Sequence, residues 1–287
     1  MEFRLNDFEM RVSVDDVFSA KKNFDQFGFC IVENFFSCEQ LEDFKNDVIS
    51  VVNCYLNKAG LQGSGSDQIL STGILMLESV SHDYVAAIYD TVFNLPSFQR
   101  ITADRRIESL TRQLLNCADS SCFYGFTQRC RIAPPKDERR TYGWHQEVFY
   151  SIPRARFLQT WAPLIFPTSV QNGTIEVAVG SHKEGIIPQS WIEIDGRSTQ
   201  IICDETVLSN YQAVSLCMQP GELLFFSPLL AHRSGSNSSD EVRYSLVGMY
   251  HDVSVPEFIS PKINFEYRAG TPKEYFIEHF GEDSRWD

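Results

Sequence analysis

The texture of the chain changes near Cys122, and that change limits the folds open to it. Before it, apolar residues recur at helical spacing. After it, short apolar or alternating runs at 123–131, 144–150, 158–166, 175–179, 214–218, 223–226 and 244–250 are separated by Gly, Pro, Asn and Ser. Seven short runs with turn signals between them predict strands of an antiparallel sandwich or barrel. In the first part, residues 13–26 carry helical periodicity that Gly28 breaks. Residues 29–32 then read as a short buried strand. Ser37 and Gln40 fit a capping box ahead of a helix over 38–56. Residues 82–93 and 106–115 read as two more helices. The fold class expected is mainly β with N-terminal helices packed on one sheet face.

The length of 287 residues fits one elaborated domain with a sizeable core. We therefore expect a single domain over 1–287, mainly helical to 121, with its β core over 122–252 and a C-terminal extension over 253–287. Residues 185–211 have mixed character and read as an insertion serving as a lid. The 22 Phe predict an aromatic core and pocket. A net charge of −13 without a Lys/Arg run excludes a nucleic-acid partner. It also means that an anionic cosubstrate needs a specific local cation. No run reaches the ~18 apolar residues of a membrane span, and the acidic start resembles no leader peptide, so a cytoplasmic location is the default. The eight Cys form no C-x-x-C pair and read as reduced, mostly buried thiols. The sequons at Asn172 and Asn237 read as chance matches. Oligomeric state is not legible.

Two segments carry chemistry: Trp144-His145-Gln146-Glu147, and His232-Arg233-Ser234 running on to Arg243-Tyr244-Ser245. On a strand, His145 and Glu147 at i and i+2 point to one side, and Gln146 to the other. Two His and one carboxylate are the ligand set of a mononuclear iron site that keeps positions open for oxygen and a bidentate cosubstrate. Arg243 can hold the far carboxylate of that cosubstrate, with Ser245 on the same strand face assisting. A strand–loop–strand layout would make His232 and Arg243 neighbours across a ladder. The aromatic flanks Tyr142, Phe149 and Tyr150 are candidate walls for a small-molecule substrate. His182, His251 and His279 carry no such pattern and read as structural.

These motifs in this order resemble the phytanoyl-CoA dioxygenase family of iron(II)- and 2-oxoglutarate-dependent oxygenases. Asn172-Gly173-Thr174-Ile175-Glu176-Val177, Gly180-Ser181-His182, Pro220-Gly221-Glu222 and the opening Phe27-Gly28-Phe29-Cys30-Ile31-Val32 also match it, so the likeness covers about residues 15 to 252. The resemblance implies a double-stranded β-helix core, a cupin-like jelly roll buttressed by α-helices. It implies iron at His145, Glu147 and His232, and the 2-oxoglutarate carboxylate at Arg243 with Ser245 or Ser234. It places Gln128 and Trp161 beside the cosubstrate. The reaction implied consumes O2, hydroxylates an unactivated C–H bond and releases succinate and CO2. The chain departs from the family in carrying Glu147 where Asp is usual; a carboxylate here still argues against halogenating variants. Two other readings stay open: a jelly-roll binding protein with a degenerate metal site, and a metal enzyme without 2-oxoglutarate, against which Arg243 argues.

Overall fold

The computed structural model describes residues 10–137, 141–152, 155–194 and 198–258. In chain order the elements are β1 (Arg11–Ser13), α1 (Val17–Phe27), β2 (Phe29–Glu33), α2 (Cys38–Lys58), α3 (Ile69–Val80), α4 (His82–Val92), α5 (Pro96–Thr102) and α6 (Arg105–Leu114). There follow β3 (Phe123–Ala133), β4 (Phe157–Pro163), β5 (Ile175–Ala178), β6 (Gln189–Ile194), β7 (Ser198–Cys203), α7 (Glu205–Leu208), β8 (Ala213–Ser215), β9 (Leu223–Phe226), β10 (His232–Ser234) and β11 (Arg243–Asp252). Most of the expected C-terminal extension, with His279, lies outside the described residues.

Local chemistry explains the helix ends. Asp16 caps α1 by accepting from Ser19 N–H at 3.0 Å. Gly28 ends it at φ 89°, which costs glycine nothing, and its N–H donates to Phe24 O at 2.9 Å. The Ser37/Gln40 capping box is present with both hydrogen bonds. In α2, Phe44, Val48, Val52 and Leu56 recur every four residues and form its buried stripe. Three helices, α3, α5 and the short α7, go beyond the sequence expectation. α3 is apolar around much of its circumference and carries Gly73 inside it, so no stripe stands out. That glycine serves packing: a Cβ there would lie 2.8 Å from Val52 Cγ1.

The main sheet runs β1-β2-β9-β4-β11-β3, antiparallel except for β1 beside β2. A second sheet runs β10-β5-β8, and β6 and β7 form a hairpin of their own. Strand alternation divides the main sheet's residues between two cores. Cys30, Val32, Leu223, Phe225, Tyr244 and Leu246 face the helices. Phe29, Ile31, Leu224, Phe226 and Trp161 face Ile175, Val177, Leu216 and Met218 of the second sheet's region. Covered on both sides, β2 and β9 read as unbroken apolar runs. The Tyr244 hydroxyl donates to Leu70 O at 2.6 Å and ties the sheet to α3.

Two expectations are corrected. Residues 144–150 form no strand: His145 makes only an isolated bridge, and Glu147–Phe149 is a 3-10 turn. The thiols are not mostly buried. Cys30, Cys130 and Cys203 are, but Cys38, Cys54, Cys122 and Cys217 are exposed and Cys117 lies between; all are free. Cys54, for instance, sits on α2 off its buried stripe. No helix among the described residues is long and apolar enough to cross a membrane.

Phe225 is fully buried, and its ring meets Phe35 edge to face. Phe225→Ala should cost about 3–5 kcal/mol through lost burial and the cavity left behind. Equilibrium urea unfolding checks this, with Phe225→Leu expected to cost less.

Candidate functional site

One side of the site rests on a backbone bridge. His145 N–H donates to His232 O at 2.9 Å, and His232 N–H returns the bond to His145 O at 3.0 Å. The chain then turns, with Glu147 N–H on Pro228 O at 3.0 Å. Gln146 points away and is fully used: its amide donates to Gly185 O and Leu229 O at 2.8 and 2.6 Å and accepts from Ile187 N–H at 3.0 Å. The sequence expectation of His145 and Glu147 on one strand face fails in its mechanism, because the ladder stops at the bridge. The side chains converge nonetheless. Glu147 Oε2 lies 3.7 Å from His145 Nε2 and 3.8 Å from His232 Nε2.

The hydrogen-bond partners set the histidine tautomers. His145 Nδ1 faces Gly143 O at 2.7 Å, and His232 Nδ1 faces Leu230 O at 2.9 Å. A carbonyl only accepts, so each Nδ1 carries the proton and each Nε2 turns its lone pair inward. Burial, followed by the neighbouring His145, holds His232 well below the usual histidine range, so it is neutral near neutral pH, as a metal ligand must be. All three donor atoms lie within 4.8 Å of one another. Donors about 2.1 Å from a shared ion and at right angles stand about 3 Å apart, so Glu147 need move by less than about an ångström toward each histidine. This donor set fits a divalent ion with one side left open.

The opposite wall belongs to the main sheet. Arg243 and Ser245 lie on β11, whereas His232 lies on β10 in the second sheet, so the expected ladder between His232 and Arg243 is corrected. β10 pairs with β5 instead. The two residues face one cavity of about 350 Å³, lined also by His145, Glu147, Tyr142, Tyr150, Trp161 and Ser234. Arg243 is buried; its Nη1 donates to Asn172 O at 3.2 Å, while its Nε has no hydrogen-bond partner among the described residues. Ser245 Oγ is likewise buried without one. Burial, then repulsion from Arg131, pushes the Arg243 guanidinium down to about 10. A carboxylate placed there would satisfy both orphaned groups and restore the lost charge compensation.

Two expected site residues fall elsewhere. Gln128 does not line the cavity. β3 bulges opposite Gly248, with Thr127 at φ 50°, and the Gln128 amide donates to Met249 O at 3.1 Å. Phe149 is buried at the end of the 3-10 turn and is not among the lining residues. Tyr142 and Tyr150 do flank the site, their rings 5.6 and 5.5 Å from that of His145. The Tyr150 hydroxyl accepts from Ile201 N–H of β7 at 2.7 Å. Burial raises Tyr150 and the Ile201 bond draws it back in part, to about 12. Arg129, Arg131, Arg233 and Gln159 line the cavity too and were not singled out in the sequence. The i, i+2 spacing of Arg129 and Arg131 was the available signal.

The sequons are structural. Asn172 is buried; its side chain accepts from Ser169 N–H and donates to Pro167 O, each at 2.8 Å. Asn237 is buried and donates to Ala133 O and Glu241 O. The residues expected to form a lid include the β6–β7 hairpin, which is stitched to the His145 segment. Cys203 N–H donates to Trp144 O at 2.8 Å, and Gln200 bonds Gly143 N–H and Thr141 O.

Fold and site together place a candidate two-histidine, one-carboxylate metal site opposite a buried arginine across one cavity. Residues 24–245 match the phytanoyl-CoA dioxygenase family, and the chain belongs to it. Over 167 residues it is 29% identical to 1-deoxypentalenic acid 11-beta-hydroxylase of Streptomyces exfoliatus, covering 56% of this chain and 54% of that protein, about half its length. Over 239 residues it is 21% identical to the peroxisomal phytanoyl-CoA dioxygenase of Bos taurus, covering 82% of this chain and 68% of that protein. The epimerase SnoN, crystallised with Fe3+, alpha ketoglutarate and nogalamycin RO, has a similar fold at TM-score 0.56 and 15% identity, covering 89% of this chain and 94% of that one.

Gly173 lines the cavity at φ 77°, and a Cβ there would lie 2.3 Å from Gly235 O and 2.8 Å from Arg243 Nη1. Gly173→Ala should therefore destabilise the fold by about 1–3 kcal/mol through backbone strain and overpacking. Chemical denaturation measures it, and an unchanged midpoint would contradict the close approach.

Proposed function

We propose that this chain is an iron(II)- and 2-oxoglutarate-dependent dioxygenase that hydroxylates an unactivated C–H bond of a small-molecule or lipid-like substrate. The observation that carries the reading is the pairing of two inward Nε2 lone pairs and Glu147 with the unsatisfied Arg243 and Ser245 across one cavity. Family membership supports it, as does the likeness to a hydroxylase and a dioxygenase. The two facing sheets are consistent with the halves of a jelly roll, in one domain over 1–287 with helices to 121 and a β core over 122–252. The stitched hairpin within 185–211 acts on this reading as a wall or lid over the cavity.

His145, Glu147 and His232 would hold iron(II) from one side, leaving the other for 2-oxoglutarate and oxygen. The bound metal and cosubstrate supply oxygen activation coupled to decarboxylation, with succinate and CO2 as products. Arg243 holds the distal carboxylate through its guanidinium, and Ser245 donates its hydroxyl to the same group; Ser234 lines the cavity nearby. The carbonyls of Gly143 and Leu230 accept from Nδ1 of the two imidazoles and aim both Nε2 atoms into the site. Trp161, Tyr142 and Tyr150 exclude water from the reacting end. Glu147 reaches the cluster from a turn rather than a strand, which accommodates its extra methylene relative to the Asp usual in the family.

Anaerobic calorimetry with iron(II) should show His232→Ala weakening metal binding by at least about a hundredfold. In the metal-loaded protein, Arg243→Ala should weaken 2-oxoglutarate binding about tenfold to a hundredfold while metal affinity holds. Metal binding without 2-oxoglutarate binding would move the degenerate, non-catalytic reading to first place.

A further inference from the structure

The cavity gathers positive charge in an acidic chain. Arg129, Arg131, Arg233 and Arg243 line it against one carboxylate, Glu147, although the net charge is −13. Two of the four have work already. Arg233 pairs with Glu176 and lies over the Trp144 ring at 4.7 Å. Arg243 is assigned to the cosubstrate. Neither Arg129 nor Arg131 forms an ion pair among the described residues.

Arg131 sits where a second anion would meet it. On β3 it stands opposite Ser245 of β11, and Arg129 stands opposite Val247, one strand repeat further on. Its guanidinium lies 5.2 Å from the centre of the Tyr142 ring, which in turn lies 5.6 Å from the His145 ring. Arg131 thus stands on the Tyr142 side of the cavity, close to the candidate metal ligands. Burial works against the Arg131 charge, while Tyr89, Tyr142 and Glu147 favour it and hold its pKa up, so a cation is kept at this wall although no carboxylate contacts it directly among the described residues. The adjoining surface is apolar: Trp161, Phe226, Val247 and Met249 line it. A planar carboxylate matches a single guanidinium fork by two parallel hydrogen bonds.

We propose that Arg131, supported by Arg129, binds the carboxylate of the primary substrate, so that the enzyme acts on small apolar organic acids. The inference rests on the oxygenase reading above and names its substrate class. The carboxylate anchors the acid at β3 while its apolar body lies toward Trp161 and Phe226, in reach of the metal side. Because Arg131 also neighbours Arg243, the same chemistry could serve the cosubstrate's own carboxylate, and the test separates the two.

The experiment uses the full chain loaded with zinc(II) in place of iron(II), so that no turnover occurs, and saturated with 2-oxoglutarate. Calorimetric titrations with decanoate, cyclohexanecarboxylate and benzoate are compared with those of their primary amides. At least one acid should bind, and its amide should bind at least about tenfold more weakly. Arg131→Gln should erase that preference, Arg131→Lys should keep part of it, and Arg129→Gln should reduce it. Affinity for 2-oxoglutarate in Arg131→Gln should stay within about twofold of wild type, which also shows that the variant is folded. The proposal is overturned if no acid binds, or if acids and amides bind alike. It is also overturned if Arg131→Gln weakens 2-oxoglutarate tenfold or more and leaves the acid preference intact. A wild-type protein that takes zinc(II) but no 2-oxoglutarate overturns the oxygenase reading itself, a different outcome from any of these.

Discussion

The metal end is built around one pair of backbone hydrogen bonds, those exchanged by His145 and His232. The segment around His145 has no strand to hold it. The bridge, the Glu147–Pro228 bond, the three bonds of Gln146 and the Cys203–Trp144 bond do that together. The two imidazoles are brought within 4.2 Å, centre to centre, by main chain rather than by side-chain attraction. Two imidazole rings that close gain little from each other. Their placement is therefore preorganised by the fold, as a site built for an ion requires.

The cavity carries an imbalance that the rest of the molecule avoids. Elsewhere, buried charges find partners: Asp252 is fully buried against Arg156, and Glu222 against Arg11. Inside the cavity, Arg243 keeps an orphaned Nε, and Arg131 raises the cost of its charge. Such local conflict is expected where a ligand, absent during folding, completes the structure. Gly173 and Gly235 are part of the same arrangement, since their backbones approach so closely that no side chain fits between them.

Much of the fold could be read from the sequence because helices and buried strands leave plain patterns. The α2 stripe with its capping box, and the runs at β2 and β9, follow directly from residue spacing. α3 escaped because its exposed Leu75, Met76 and Val80 and its internal Gly73 blur the apolar period. The strand assumed over 144–150 was a misreading of an apolar, aromatic segment whose backbone bonds go to a loop and a hairpin. The candidate site residues stood out as a set, since two His, one carboxylate and a later Arg in order are uncommon, and the fold brings them to one cavity. How they meet was not, because His232 and Arg243 lie close in sequence yet belong to different sheets. Gln128 was misplaced by a bulge that no side-chain pattern announces. Arg129 and Arg131 were overlooked because cations on a strand ordinarily face water; the fold shows Arg131 half-buried in the cavity wall and Arg129 exposed at its edge.

The pairing of β2 with β9 has a consequence for how the chain is made. Phe29 stands opposite Phe226, so one of the first strands to leave the ribosome waits for one of the last. Until β9 arrives, the N-terminal helices have half a core and β2 has an open, apolar flank. Contacts so distant along the chain make folding slow and leave a nascent intermediate prone to stick to its neighbours. The helical N-terminal part is thus poorly suited to independent life: its sheet partner is supplied only once most of the polypeptide exists.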